Sequence, residues 1–162
     1  MKSLFRGEKW YKVGKIYEAV MPEYDFLGQH SHTLDSKNRV AIPAKFRSQL
    51  DNGKVIVTKG FDGCLVVYPM DEWQKLREEK ISALDPMESR AARDKMRKIL
   101  SGAAHCDIDK QGRIGLGVAH LTWAEIGKEV VFTGMGSCFE VWSVKQWEQY
   151  EEDSKERERA GQ

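Results

Sequence analysis

The sequence predicts an α+β, β-rich fold: a pseudo-symmetric β-barrel in which hairpins of two similar halves pack or interleave, flanked by helices. Three observations predict it. The chain resembles itself at a spacing of 74 residues. Each copy reads as short strands separated by polar or Gly turns and closed by a helix. Either copy alone is too small to bury a good core, so the two must share one.

The repeat is read on a gapless diagonal. Asp35-Ser36-Lys37-Asn38-Arg39-Val40 falls on Asp109-Lys110-Gln111-Gly112-Arg113-Ile114. Further along, Gly53-Lys54 falls on Gly127-Lys128, Gly60 on Gly134, Cys64 on Cys138, Val67 on Val141 and Trp73 on Trp147. The units are residues 29–77 and 103–151. A connecting helix occupies 78–102, an N-terminal extension 1–25, and a charged, flexible tail 152–162.

Within the first unit, alternation from His30 to Leu34 predicts a half-buried strand. A tight polar loop leads to a second strand, Arg39–Ile42. A short helix follows, then β-branched Val55–Thr58, a Gly turn, and strand Cys64–Tyr68. Pro69 is suited to the first position of the closing helix, and Asp71 and Glu72 complement its dipole. Trp73 and Leu76 point one way, as do Trp147 and Tyr150. Between the units, Pro86–Leu100 reads as a basic amphipathic helix with Met87, Ala91, Met96, Ile99 and Leu100 on its apolar side. Its basic stretch from Arg90 to Lys98 suits contact with DNA, a subunit contact, or plain solvation.

Composition narrows the function. The apolar fraction of 41% is that of a globular protein. No apolar run approaches the roughly 18 residues that span a bilayer, and Met1–Val20 lacks the apolar core of a secretory signal. A cytoplasmic location without a membrane partner is expected. Cys64, Cys106 and Cys138 form no C-x-x-C pair and no even set, which argues against a disulfide framework. Cys64 and Cys138 read as small buried apolar residues. His30 and His32 share one face of a strand but find no further ligand at metal-site spacing. No nucleophile elbow, phosphate-binding Gly loop or zinc-protease helix occurs, so neither enzyme activity nor a cofactor is expected. A net charge of +1 is a weak global field for a nucleic-acid binder. DNA binding would need a local basic patch, multiplied by oligomerisation.

The duplicated loop is the candidate for that patch. Its leading Asp can accept bonds from backbone N–H groups ahead of it and fix an Asx-type turn. The fourth position is Asn in one copy and Gly in the other, the two residues that tolerate positive φ. An Arg then opens the next strand in both copies. Lys37 and Arg39 on a rigid hairpin loop can present a guanidinium fork to phosphate or to a guanine edge. Lys45 and Arg47 add charge nearby. Equally, the turn can be purely structural, with each Arg paired to the Asp of its own repeat.

The segments Leu34–Arg47, Thr58–Pro69, Ser101–Ala104 and Asp109–Ile114 closely resemble, in order and spacing, the motifs of the MraZ family. The resemblance covers residues 26–151. It implies two SpoVT-AbrB-type domains and a swapped-hairpin barrel like those of AbrB and MazE. It implies a ring-like homo-oligomer that binds direct repeats in the promoter of the division and cell-wall gene cluster and regulates its transcription, hence a nucleoid-associated protein. The motif Arg required for DNA binding carries onto Arg39 and, by repeat position, Arg113; Lys37 and Asn38 match the first motif directly. Lys110 and Gln111 stand in the second, which departs from the pattern: Ile114-Gly115-Leu116-Gly117 replaces the Ile-Pro-like step, and Leu121 answers Arg47. The first loop is therefore expected to dominate. A MazE-like interaction module presenting its charged tail is the alternative.

Family members begin near Phe26-Leu27-Gly28, so Met21 is a natural start and residues 1–20 would be upstream sequence read as protein. Codons for Arg6-Gly7, Trp10 and Val13-Gly14 can carry TGG-type boxes about one helical turn apart, as in the family's operator. The other reading is a basic arm that sets Lys9, Lys12 and Lys15 on phosphates.

Overall fold

A computed structural model describes residues 23–51 and 53–161, together with the backbone of 2–5, 8–13 and 16–20. Strands β1 (Lys2–Phe5), β2 (Glu8–Val13) and β3 (Ile16–Val20) form an antiparallel meander. Both readings of the N-terminal extension, the codons and the lysine arm, lie outside the described side chains.

The fold is mixed α+β and strand-rich, with antiparallel pairing throughout. The first repeat supplies β4 (Gln29–Thr33), β5 (Arg39–Ala41), α1 (Ala44–Arg47), β6 (Lys54–Lys59), β7 (Leu65–Pro69) and α2 (Met70–Leu76). The second supplies β8 (Ala104–Asp107), β9 (Arg113–Gly115), α4 (Val118–Trp123), β10 (Glu129–Gly134), β11 (Phe139–Ser143) and α5 (Val144–Arg159). Helix α3 (Arg90–Ser101) lies between them.

Six strands form one sheet in the order β4-β10-β11-β7-β6-β8, and β5 pairs with β9 in a ribbon of its own. Exchanging the repeats reads the six-strand order backwards. Each repeat's first strand pairs with the other repeat's third, Thr33 with Glu129 and Asp107 with Lys54. At the centre, Val66 faces its own repeat-mate Glu140. The expected closed barrel is not formed by the described strands: the large sheet is open, with β4 and β8 at its edges. The cause is local. The loop after β4 turns the chain so that β5 finds its ladder partner in β9, and two backbone bonds, Asp35 N–H to the Arg39 carbonyl and Asn38 N–H to the Asp35 carbonyl, close the loop on itself.

The gapless diagonal also needs correction. Val57 pairs with Val67, whereas Phe132 pairs with Val141, so β6 and β10 correspond at a spacing of 75 while β7 and β11 keep 74. The second repeat holds one additional residue before β10 and has one fewer in the following turn, closed by Met135 N–H to the Cys138 carbonyl rather than by Gly60 to Cys64. With that offset every register obeys the same pseudo-two-fold.

One face of the sheet and the inner face of the ribbon enclose the main core: Phe26, Val40, Phe46, Val57, Leu65, Ile114, Phe132, Phe139 and Val141. The other face is covered by helices. Trp73 and Ile99 pack on Ile56, and Trp147 packs on Cys64, Val131 and Trp142. Cys64 is buried as expected, whereas Cys138, in the turn before β11, is only partly buried; its surroundings still push its thiol up to about 12, desolvation first and Glu140 second. His30 and His32 pack edge-on against Phe46 and Phe132.

Helix boundaries shift in several places. Helix α2 runs on into a π-helical turn, Arg77–Ile81, so the connecting helix expected over 78–102 is reduced to α3. Pro69 caps α2 from outside rather than opening it, and Asp71 and Glu72 do occupy the first turn. Helix α3 begins after Ser89, whose hydroxyl accepts from Ala92 N–H, so Met87 lies outside it and is exposed. In its basic stretch Asp94 pairs with Arg90 and Arg97, and Lys98 sits over the rings of Phe61 and Trp123. The expected flexible tail carries helix as far as Arg159, because Ser143 caps α5 and its charges alternate along the helix.

Candidate nucleic-acid interface

The two loops have one geometry, built from local chemistry. Asp35 Oδ1 accepts from the backbone N–H of Lys37 and Arg39, both at 2.9 Å. Asp109 Oδ1 accepts from Gln111 and Arg113 at the same distances. The residue at the turn's exit is left-handed in both copies, Asn38 at φ 58° and Gly112 at φ 76°. Both are the turns read from the sequence. The backbone bonds to Arg39 and Lys37, with the Arg39 side chain, hold the Asp35 carboxyl below its ordinary range; Arg113 and Gln111 do so for Asp109.

The second oxygen of each carboxylate takes the Arg. Arg39 Nε donates to Asp35 Oδ2 at 2.8 Å, and Arg113 Nε donates to Asp109 Oδ2 at 2.8 Å. The structural pairing anticipated as an alternative is thus present, and it leaves both side chains at the surface. In the β5–β9 ribbon Arg39 stands opposite Gly115 and Arg113 opposite Ala41. Alternation turns Val40 and Ile114 into the core and all four of these residues outward. Gly115 and Ala41 offer little bulk opposite the arginines, and the Arg39 stem lies beside Gly115, where an added Cβ would meet Arg39 Cγ at 3.9 Å.

The remaining predicted residues divide. Lys37, Asn38, Lys110 and Gln111 are exposed on the loops. Arg47 crosses from α1 to the second loop, where Nη1 donates to the Gln111 carbonyl at 3.2 Å. Lys45 is not brought to the loops; with Leu27, Gln29 and His30 it lines a cleft beside the start of β4. The sequence reading missed the small residues opposite the arginines. Their signal was present: Ala41 and Gly115 occupy the same repeat position.

Fold and site together define a duplicated, strand-exchanging α+β protein whose two halves join in a ribbon bearing paired Asp-anchored arginines. The family profile described as "MraZ protein, putative antitoxin-like" matches residues 26–97 and 99–161, and the chain belongs to the MraZ family. The Transcriptional regulator MraZ of Halothermothrix orenii is 47% identical over 131 residues, spanning 81% of this chain and 90% of the relative. Those of Caldanaerobacter subterraneus and Carboxydothermus hydrogenoformans are each 49% identical over 125 residues, spanning 76% and 77% of this chain and 85% of each relative. The name these relatives carry is that of a regulator, not of an enzyme. No helix among the described residues is long and apolar enough to cross a membrane.

Proposed function

We propose that the protein regulates transcription by binding double-stranded promoter DNA through the loop Lys37-Asn38-Arg39, as a ring-like homo-oligomer on direct repeats ahead of the division and cell-wall gene cluster. The observation that carries this reading is the aim of Arg39. Its Nε is held by Asp35, and its side chain stays 35% exposed on the outer face of a twisted two-stranded ribbon. Such a ribbon is narrow enough for the major groove, where an Arg fork matches the guanine edge. Lys37 and Lys110 flank it as phosphate contacts, with Gln111 and Arg113 on the adjoining loop. Lys45 and Arg47 contribute charge at longer range. The exchange of strands between repeats supports a swapped-hairpin, AbrB-like ancestry with SpoVT-AbrB units at 29–77 and 103–151. One loop per subunit makes few contacts, so neighbouring subunits meeting boxes one helical turn apart would supply the affinity. A cytoplasmic, nucleoid-associated protein follows.

The test is a gel shift with duplex from immediately upstream of the gene, against the same duplex with scrambled boxes, over a salt series. Arg39→Ala should abolish the specific shift while leaving the oligomer mass unchanged. Retention of that shift by the variant would refute the reading. The family description favours one rival, an antitoxin-like module that presents α5 to a protein partner. DNA binding unaltered on deletion of 152–162 would count against it.

A further inference from the structure

The two arginines are not equally engaged. Among the described residues, the only hydrogen bond from the Arg39 guanidinium leaves from Nε, so both terminal nitrogens keep their donors. Arg113 spends Nε on Asp109 and also reaches across the ribbon, where Nη1 donates to Asp35 Oδ2 at 3.4 Å. Asp35 therefore receives both arginines and Asp109 only its own. Arg113 is the less exposed, at 25% of its side chain. Its loop is also covered: a Cβ on Gly112 would lie 2.1 Å from Arg47 Nη1 and 2.3 Å from Arg47 Cδ. The first loop has no such cover, because Leu121 stands where the second repeat would need an Arg.

The geometry points to a division of labour: Arg39 is the residue that enters the groove, and Arg113 is a positioning residue that, with Arg47 behind it, fixes Asp35 and so aims Arg39. This rests on the DNA-binding reading above and assigns the work within it. A forked cation that cross-links two carboxylates has fewer free donors for a phosphate or a base edge. What it supplies is a fixed carboxylate, and Asp35 sets both the backbone of its loop and the Arg39 Nε.

The assignment is tested with the full-length oligomer and duplex from immediately upstream of the gene, comparing Arg113→Gln, Arg113→Lys and Arg39→Gln. Losing a direct phosphate contact lowers the salt slope of binding by about one, and losing a base contact relaxes preference at one position. Arg39→Gln should do one of these. Arg113→Gln should weaken binding about tenfold with the slope and base preference unchanged, and Arg113→Lys should recover part of the loss. Amide hydrogen exchange in 35–39 should be faster in Arg113→Gln without DNA, since Asp35 holds the Lys37 and Arg39 amides. A slope lowered by about one, or a relaxed base position, in Arg113→Gln would make Arg113 a contact and overturn the assignment. Unchanged exchange in 35–39 would overturn it too. If the unmodified protein fails to shift the duplex, the DNA reading falls, and the exchange measurement still decides whether Arg113 holds the first loop.

Discussion

Val40 and Ile114 face each other across the β5–β9 ribbon, and neither has any surface exposed to solvent. They are repeat-mates, so the pseudo-two-fold passes between them. The ribbon that carries the arginines outward is pinned inward by this pair. Ile114→Ala should cost about 2–5 kcal/mol and Ile114→Val about 0.5–1.5. Both should lower the denaturant midpoint without changing the slope of the transition. A midpoint unmoved by the Ala variant would show that the ribbon is not part of the cooperative core.

The exit positions of the loops should respond oppositely to exchange. Gly112→Ala puts an L side chain at φ 76° and displaces Arg47 from the Gln111 carbonyl. A loss of about 1–2 kcal/mol is expected from the backbone alone. Asn38→Gly keeps a permitted conformation and should change stability by less than about 1 kcal/mol. Combining Gly112→Ala with Arg47→Ala in a double-mutant cycle should give a measurable coupling, since the two groups claim one space.

Gly134 meets a harder obstacle. A Cβ there would lie 2.3 Å from the carbonyl oxygen of Phe26, whose own N–H and carbonyl are bonded to Gly136. That neighbour is backbone, so it cannot swing aside. Gly134→Ala should cost about 3 kcal/mol or more, read as a fall in melting temperature. A smaller loss would mean that the segment around Phe26, bridged to Gly136, detaches without penalty.

The loop carboxylates give a pH dependence with a defined sign. Asp35 and Asp109 have folded pKa values below the ordinary 3.8, so their contribution to stability is present above that value. It is lost as pH falls through the lower, folded values. Stability should therefore drop on acidification below pH about 4, and the drop should be shallower in the Asp35→Asn, Asp109→Asn double variant. Denaturant midpoints across that range provide the check; identical profiles for the two proteins would remove the carboxylates from the account.

What the sequence makes legible is what is decided locally. Asp followed by Asn or Gly and then Arg specifies the turn within five residues, and the turn is as read. Strand positions follow from β-branched runs, and Trp73 and Trp147 mark the closing helices. Less legible is anything settled by partners far along the chain. Thr33 pairing with Glu129, and Lys54 with Asp107, cannot be read from either repeat alone. The compensating one-residue changes around β10 were hidden because Gly53-Lys54 and Gly60 find matching residues at 74, although the ladder aligns them at 75. The Arg113–Asp35 link belongs to the same class, since it requires knowing that β5 lies against β9.

Val66 opposite Glu140 has a consequence for how such a chain could arise. In a dimer of two identical half-length chains, a residue on the axis meets its own copy, and two glutamates there would repel at about 5 Å between their Cβ atoms. Covalent fusion lifts that identity constraint. It lets one side of the axis stay apolar while the other keeps a carboxylate, fed here by the indole N–H of Trp142 and the hydroxyl of Thr133. The same freedom separates Asn38 from Gly112 and Arg47 from Leu121, so two loops of common origin can take up different tasks.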